Sequence, residues 1–394
     1  MVSDECGFQS FFLAGFECSS HCPSADRRLD LIAATGHDTH CQADYQRLRD
    51  VGIASARDGV RWHLIETKPY RYDFRSLLPM LRAARRTGIQ VIWDLFHYGW
   101  PNDLDLFSPD FIARFASFAR ELARVIADET AGAPYLSCVN EISFFSWAAG
   151  DVAVMHPFSR GRGDELKAHL VRASIRAMDS IRSIIPQARF VQVDPIIHVA
   201  TSDDMDDRAK AAAKAHERSQ TDAWDMLTGR MNPELGGAPE YLDIVGANYY
   251  VHNQWVYEDR FIEPHDPRYK PLHELLSDVY HRYSRPIFLA ETGIEDDRRP
   301  TWLRYVCDEV AEAILTGVPV GGICLYPILN YPGWDDERRC HTGLWDYCDG
   351  NGHRELYRPM AEELFRQQLR MQYVRTAKPG IPSQHFDSAI SRSA

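Results

Sequence analysis

Short apolar segments alternate with amphipathic segments along most of this chain, and this alternation constrains the fold more than any other feature. Eight segments have the length and apolar content of buried strands, at residues 11–16, 53–57, 90–96, 135–139, 188–193, 242–248, 286–290 and 322–326. Stretches of helical period follow them, at residues 41–51, 77–87, 109–127, 165–185, 204–227, 272–283, 301–316 and 359–372. A closed barrel of parallel strands requires eight such repeats, and its strands are apolar because both faces are covered. The sequence therefore predicts the α/β class and a single (β/α)8 TIM barrel.

A doubly wound open sheet is the alternative arrangement of the same elements. It would place a glycine-rich phosphate turn after the first strand, but the segment AGFECSS at that point holds one glycine. The sequence has neither a low-complexity linker nor a short internal repeat that would divide it. We therefore expect one barrel domain over residues 1–374, followed by a polar tail over residues 375–394 that is an appendage or disordered.

The charge balance is acidic, with 44 lysines and arginines against 56 aspartates and glutamates and a formal net charge of −12. Without a basic block, such a surface argues against nucleic acid and against an anionic membrane as the main partner. No run approaches the ~18 apolar residues that a transmembrane helix needs. The N-terminus, MVSDECGFQSFF, lacks the features of a signal peptide. We therefore expect a cytoplasmic protein with reduced thiols, whose oligomeric state stays open.

The metal-ligating residue types form no pattern typical of a metal site. The nine cysteines lack zinc-finger spacing. The histidines near predicted strand ends, His97, His198 and His252, are scattered and lack the paired spacing of metal ligands. We therefore expect no bound metal and no cofactor, which disfavours a metal-dependent hydrolase.

Two glutamates follow predicted buried strands. Glu141 comes just after the fourth strand and Glu291 ends the seventh. In TIM barrels the active site lies at the carboxyl ends of the strands, so both side chains are expected at the barrel mouth. Retaining hydrolysis of a glycosidic bond uses two carboxyl groups about 5–5.5 Å apart, one as nucleophile and one as acid and base. We therefore expect the two glutamates to face each other across one pocket.

Eight segments of the chain, in the right order, resemble the family 1 β-glycosidases of the clan A retaining glycoside hydrolases. The segments are FFLAGFECSS, GIASARDGVRWHLIE, VIWDLFHYGWP, CVNEISFF, DIVGANYY, PIFLAETGI, GVPVGGICLYPILNYPGW and HTGLWDY. The resemblance implies a retaining β-glycosidase that hydrolyses a small glycoside or oligosaccharide, with Glu291 as nucleophile and Glu141 as general acid and base. Three aromatic residues follow Glu141 closely in the sequence: Phe144, Phe145 and Trp147. We expect these apolar surroundings to raise the pKa of Glu141.

The same resemblance assigns the residues that would hold the sugar and the nucleophile. Asn140 would bind the sugar 2-hydroxyl, and His97 would contact another hydroxyl. Arg57 and Tyr250 would donate hydrogen bonds to Glu291, favouring its charged form and fixing its orientation. Asn248, at the end of the sixth strand, completes this group of expected substrate-binding residues.

The chain departs from the family pattern in the part of the site that holds the sugar. The region of His21 and Cys22 stands where the family has a glutamine, and Tyr326 replaces the tryptophan of the eighth strand. Gly333 replaces a glutamate that grips the outer hydroxyls of the sugar, while Trp334 beside it is retained. Unmatched polar groups change specificity by orders of magnitude, so the identity of the sugar stays open. Three residues are candidates to replace that glutamate: Glu17, His21 and His341.

Tryptophans near strand ends could stack on a sugar ring or pack in the core. We predict that Trp100 and Trp334, both in strand-end loops, form the stacking platform. Trp62 and Trp93 are assigned to packing.

Two further functions use the same residues. A non-hydrolytic sugar-binding protein could occupy the same scaffold, since fold does not determine function. A transglycosylase would pass the sugar to an acceptor other than water, and it shares the first half-reaction with a hydrolase. The predicted glutamate pair favours an enzyme over a pure binding protein.

Overall fold

Eight parallel strands close into a barrel in this computed structural model, which describes residues 6–336 and 338–376. The barrel strands are β1 (Phe12–Gly15), β2 (Ser55–Gly59), β3 (Gln90–Asp94), β4 (Tyr135–Ser137), β5 (Arg189–Pro195), β6 (Ile244–Asn248), β7 (Ile287–Thr292) and β8 (Val320–Leu325). Each strand pairs with its neighbours in sequence, and β8 pairs with β1 to close the ring. The predicted α/β class and (β/α)8 barrel are therefore confirmed.

The longer helices cover the outside of the barrel. They are α1 (His37–Asp50), α2 (Leu78–Thr87), α3 (Pro109–Glu129), α4 (Gly163–Arg182), α5 (Asp207–Ser219), α6 (Asp222–Leu227), α7 (Leu272–Tyr283), α8 (Arg299–Leu315) and α9 (Arg358–Thr376). Short helical segments fill the loops, at Leu31–Ala34, Trp62–Ile65, Phe74–Ser76, Ile142–Phe145, Ser146–Asp151, Pro233–Leu235, Pro239–Tyr241 and Asp296–Arg298. Among the helices of the described residues, none is long and apolar enough to cross a membrane.

Helix α3 illustrates how the sequence pattern produces this layer. Pro109 opens the helix, where a missing backbone N–H costs nothing. Apolar residues at helical spacing then bury one face against the barrel: Phe111, Phe115, Phe118, Leu122 and Ile126. Such burial supplies most of the free energy that holds a surface helix in place.

The interior of the barrel is packed with apolar side chains that the strands point inward. They include Leu13, Ile92, Val191, Ile244, Phe288 and Cys324. Polar residues follow at the carboxyl ends of the strands, beyond this packed layer. The core therefore leaves one end of the barrel as the place where a polar site can form.

Two elements differ from the sequence prediction. The predicted helix over residues 204–227 is broken into α5 and α6. Two strands of three residues, His198–Ala200 and Gln254–Val256, form a parallel pair outside the barrel, which we call the side sheet. Three-residue strands are too short to produce a periodic signal, so the side sheet was not predicted.

A small pair, Tyr331–Pro332 with Arg339–Cys340, lies in the loop after β8. The predicted tail boundary falls within α9, because residues 375–376 are helical. Residues 377–394 of the predicted tail lie outside the described residues.

Candidate active site

A cavity of about 1210 Å³ opens at the carboxyl ends of the barrel strands and extends outward to the side sheet. Both predicted glutamates line it. Of the other predicted site residues, five line it as well: Glu17, His97, Tyr250, Tyr326 and Trp334. The cavity therefore combines the predicted acid pair with half of the ten residues predicted to bind the substrate.

Glu141 is held in an uncommon backbone conformation after β4 ends. Its φ and ψ angles of 47° and 63° lie in the left-handed region, which a non-glycine residue occupies only where the surroundings enforce it. Its backbone N–H donates to the Val193 carbonyl at 3.0 Å. Its side chain accepts hydrogen bonds from the Tyr98 hydroxyl at 2.7 Å and from Asn248 Nδ2 at 2.8 Å. These contacts place the carboxyl group in the cavity in one orientation.

The environment of Glu141 raises the pKa of its carboxyl group towards neutral pH. Burial and the nearby charge of Glu291 raise the pKa of Glu141 to about 7, against the lowering effect of the Asn248 and Tyr98 hydrogen bonds and of His97. A carboxyl group with such a pKa can donate a proton at neutral pH and accept one when its surroundings change. The expectation of a raised pKa for Glu141 is confirmed, with burial as the main cause.

Glu291 lies at the end of β7 and accepts hydrogen bonds on both oxygens. Arg57 Nη1 donates to its Oε1 at 3.0 Å, and the Tyr250 hydroxyl donates to its Oε2 at 2.9 Å. Burial, followed by the charges of Glu291 and Glu141, raises the pKa of Tyr250 well above its usual value, so this hydroxyl keeps its proton. The two contacts predicted from sequence for Glu291 are therefore present.

Arg57 connects the nucleophile candidate to the rest of the barrel floor. It is fully buried and donates from Nη2 to Asp94 Oδ2 at 2.7 Å and to Asn140 Oδ1 at 3.0 Å. Asp94 supplies a second negative charge, and a buried cation is tolerated only when it is paired in this way. Asp94 was not predicted as a site residue from the sequence, although an arginine inside a barrel strand predicts a buried carboxylate partner.

Asn140 and His97 lie next to one another on the floor. Asn140 Nδ2 lies 3.2 Å from His97 Nε2 and 3.1 Å from the Tyr98 hydroxyl. Asn140 is 1% exposed and does not line the cavity, so its amide contacts protein groups. Its predicted contact with a sugar hydroxyl stays a prediction, as does the same role for His97.

Glu17 and Trp334 form one wall of the cavity. Glu17 Oε1 accepts from the Ser19 N–H at 2.9 Å, and the carboxyl group also contacts Trp334 through a side-chain hydrogen bond. Burial raises the pKa of Glu17. Tyr326 directly follows β8, and its ring packs against Gly15. A Cβ atom on residue 15 would come within 2.0 Å of Tyr326 Cδ2. Gly15 therefore makes room for the ring of Tyr326.

His21 lies behind this wall and does not line the cavity. Its ring packs on Trp334 with centroids 4.6 Å apart, and its Nδ1 lies 2.7 Å from Ser19 Oγ. Burial lowers the pKa of His21 to about 4, so the ring is neutral. Its predicted contact with the substrate stays a prediction. His341, the third candidate, lies with Nδ1 3.1 Å from Asn330 Nδ2 and is likewise outside the cavity lining.

The prediction that Trp100 forms part of a stacking platform is wrong. Trp100 is 1% exposed, its Nε1 donates to the Leu104 carbonyl at 3.0 Å, and its ring stacks on Phe96. The ring belongs to the main apolar core, where it also packs on Phe145 and His156. Trp62 and Trp93 are buried, as their assignment to packing requires.

Tyr98 was missed entirely from the sequence. It follows His97 in the loop after β3, has a φ of 63°, and donates to Glu141. A tyrosine in such a loop has no periodic signal. Its position next to His97, a histidine at a strand end, is the one local feature that indicates a site residue. Trp147, six residues after Glu141, was noted only as an apolar neighbour, and it lines the cavity while 44% exposed.

One group of side chains in the described residues has the composition of a metal site. Atoms of Cys18, Asp94 and His97 lie within 4.8 Å of one another. Asp94 already accepts from Arg57, and burial together with Asp94 raises the pKa of the Cys18 thiol well above its usual value. A metal ligand must be a thiolate, so this group fits a hydrogen-bonded cluster better than a metal centre. The absence of a metal or cofactor stays a prediction.

A scan of protein-family models and a search of curated proteins each find no match to this chain. Solved structures do match. A family 1 β-glucosidase from Thermotoga maritima has a TM-score of 0.70 at 16% identity, covering 87% of this chain and 88% of that one. The same enzyme in complex with glucoimidazole has a TM-score of 0.72 at 16% identity, covering 93% and 98%.

A third match is the β-glycosidase from the hyperthermophile Thermosphaera aggregans, with a TM-score of 0.73 at 17% identity, covering 96% of this chain and 98% of that one. All of these identities are low, and the likeness is one of architecture over nearly the whole of both chains. The structural matches thus confirm the sequence resemblance at the level of the fold, and this chain folds as the family 1 β-glucosidases do.

Proposed function

We propose that this protein is a retaining β-glycosidase that hydrolyses a small glycoside by double displacement. One observation carries the proposal: Glu141 and Glu291 line a single cavity in different environments. Glu291 accepts from Arg57 and Tyr250, whereas burial raises the pKa of Glu141 to about 7. Two carboxyl groups in such contrasting surroundings suit the two roles that this reaction needs.

In the first half-reaction a carboxylate oxygen of Glu291 attacks the anomeric carbon. The bond from that carbon to the glycosidic oxygen breaks, and the oxygen takes the proton of Glu141, so that the aglycone leaves as a neutral alcohol. The sugar is then esterified to Glu291. Arg57 and Tyr250 support the attack because they keep the carboxylate in one orientation.

In the second half-reaction Glu141 acts as a base. Esterification removes the charge of Glu291, which is one cause of the raised pKa of Glu141. Without that charge the carboxyl group of Glu141 loses its proton more easily. It then takes a proton from the water that attacks the anomeric carbon, and Glu291 is released.

Covalent trapping tests this proposal directly. A panel of 2-deoxy-2-fluoro glycosides with a dinitrophenyl leaving group, varied in the sugar, is incubated with the full chain. We expect a burst of dinitrophenol, a mass increase of one fluoroglycosyl unit, and a labelled peptide that contains Glu291. Glu309→Gln is a matched control, because Glu309 binds His273 away from the cavity, and this variant is expected to label like the parent.

A label on another side chain, or a product of inverted configuration without any label, would overturn the proposal. Sugar binding without labelling or turnover across the panel would favour a non-hydrolytic sugar-binding protein. Transfer of the sugar to added alcohols in place of water would identify a transglycosylase that uses the same first step.

The pH dependence provides a further prediction. The first step needs Glu141 protonated. We therefore expect kcat/KM for an aryl glycoside to be highest below the Glu141 pKa of about 7 and to fall as the pH rises through that value. The Tyr98 hydrogen bond lowers this pKa. Tyr98→Phe is therefore expected to move the basic limb of the profile to higher pH.

Tyr72→Phe serves as the control for that shift, since it removes a hydroxyl that contacts Ser117 away from the cavity. Its pH profile should match that of the parent. A basic limb that stays in place or moves to lower pH in Tyr98→Phe would contradict the assigned role of this hydrogen bond.

A further inference from the structure

The cavity continues well beyond the two glutamates. Its outer part, which we call the outer cleft, is lined by residues from the loop after Glu141, from α5 and from the side sheet: Phe144, Trp147, Ile197, His216, Trp255 and Phe261. The whole cavity, at about 1210 Å³, is larger than the roughly 300–1,000 Å³ of most ligand pockets. The outer cleft therefore provides room for a group beyond a single sugar ring.

One wall of the outer cleft is a continuous row of aromatic rings that starts at the sugar side. Phe144 lies between Trp334 and Trp147, with ring centroids 6.5 Å and 6.0 Å away. Phe144 is three residues from Glu141, and Trp147 lies at the rim with 44% of its surface exposed. The row thus leads from the acid and base candidate outward to solvent.

A second wall of the outer cleft is built on the side sheet. Trp255 and Phe261 face each other in an antiparallel bridge, which puts both side chains on the same face. His216 of α5 packs edge-on against Trp255, with centroids 5.5 Å apart at 79°. Phe261 is 59% exposed, although large apolar side chains are usually buried. Two aromatic walls therefore border the same space.

Several polar side chains that line the outer cleft are already paired within the protein. Lys167 Nζ contacts Asp222 at 2.9 Å. Gln220 accepts from the Ile197 N–H at 2.8 Å and donates to the Glu217 carbonyl at 2.6 Å. Glu295, on the cavity wall, is held by Arg338 at 2.6 Å. A second sugar would need free donors and acceptors for its hydroxyls, and these three side chains have fewer of them to offer because each already has a partner.

We propose that the outer cleft binds an apolar aglycone of at least two aromatic rings, so that the substrate is an aryl glycoside rather than an oligosaccharide. This inference rests on the proposed function, because it places the leaving group of that reaction. The two walls would stack on the faces of the aglycone, while the glycosidic oxygen lies next to Glu141. Flat aromatic groups stack well on such surfaces because rings offer large apolar faces at fixed geometry.

Binding of the free aglycone tests this inference without turnover. Binding of 2-naphthol to the full chain is measured by calorimetry, with phenol and cellobiose as comparison ligands. We expect saturable binding of 2-naphthol, weaker binding of phenol, and no competition from cellobiose in the outer cleft. Trp255→Ala is expected to raise the dissociation constant for 2-naphthol about tenfold, and Trp255→Phe to restore most of the affinity.

His216→Ala and Phe261→Ala should also raise the dissociation constant for 2-naphthol, and both residues lie outside the barrel strands. Phe365→Ala is the matched control, because Phe365 is 62% exposed on α9 away from the cavity, and its affinity for 2-naphthol should equal that of the parent. The ratio of kcat/KM for 2-naphthyl over phenyl glycosides of one sugar is expected to fall in the three cleft variants.

Failure of this inference and failure of the proposed function give different results. If aryl glycosides are cleaved but 2-naphthol binding is absent or unchanged in all the cleft variants, the aglycone assignment is overturned and the glycosidase stands. The aglycone assignment is also overturned if cellobiose displaces 2-naphthol and is cleaved faster than the aryl glycosides. The proposed function is overturned if 2-naphthol binds as expected but no glycoside is cleaved and none labels Glu291. In that case the outer cleft binds an aromatic ligand that is not the leaving group of a glycosidase reaction.

Discussion

Replacing Glu291 by alanine is expected to lower kcat for aryl glycosides by about 10⁴-fold or more, since the variant lacks the carboxylate that forms the glycosyl ester. Arg57 keeps Asp94 as a partner in this variant, so the barrel floor retains one of its two ion pairs. The loss of kcat is measured with a dinitrophenyl glycoside, whose turnover is monitored by the release of dinitrophenol. Glu291→Gln keeps the size of the side chain and is expected to be equally inactive, which separates lost nucleophilicity from lost packing.

Azide provides the decisive part of this experiment. In Glu291→Ala the small anion can enter the space of the missing carboxylate and attack the anomeric carbon from the same side. We expect partial recovery of turnover and a glycosyl azide of the opposite anomeric configuration to the substrate, identified by NMR. Glu309→Ala, a change away from the cavity, should keep full activity without azide. Full activity of Glu291→Ala would end the proposal.

Replacing Glu141 by alanine is expected to give a loss that depends on the leaving group. Phenyl glycosides need the proton of Glu141, so their kcat/KM should fall by about 10²–10⁴-fold. Dinitrophenol leaves without protonation, so the first step is spared for its glycosides while the second, which needs the base, becomes slow. The glycosyl-enzyme then accumulates, and both kcat and KM should fall together.

Two further readouts identify the lost group as the acid and base. The basic limb of the pH profile, assigned to the pKa of about 7 of Glu141, should disappear in Glu141→Ala. Azide should restore turnover of the dinitrophenyl substrate by attacking the glycosyl-enzyme, giving a glycosyl azide of retained configuration. Equal losses for phenyl and dinitrophenyl glycosides, with the basic limb unchanged, would refute this role for Glu141.

The parts of this molecule that were predictable from sequence are those with a local signal. The barrel strands are mostly apolar because both faces are covered, and this holds for β6 and β7 in particular. Glu291 was placed at a strand end by the apolar run before it. The hydrogen bonds from Arg57 and Tyr250 were implied by the resemblance and are present.

The remaining parts depend on how distant segments meet. Trp100 has the same local context as a cavity residue, but the loop that carries it turns into the core. Tyr98 contacts Glu141 from a different strand-end loop, and no pattern in the sequence records that contact. The side sheet pairs residues 198–200 with 254–256, which are separated by α5 and α6 and by β6. Such pairings are set by tertiary packing rather than by periodicity.

The guanidinium of Arg57 has a consequence for how this protein can change over evolution. It starts on β2 and contacts Asp94 on β3, Asn140 after β4, and both Ala290 and Glu291 on β7. A substitution of Asp94, Asn140 or Glu291 would remove a side-chain partner of Arg57 and disturb the others, so the floor must be inherited as a unit. These partners of Arg57 lie outside the side sheet and α5, so residues there can change without disturbing the floor. New substrate ranges should therefore arise by drift in the loops around the rim, while the floor stays fixed.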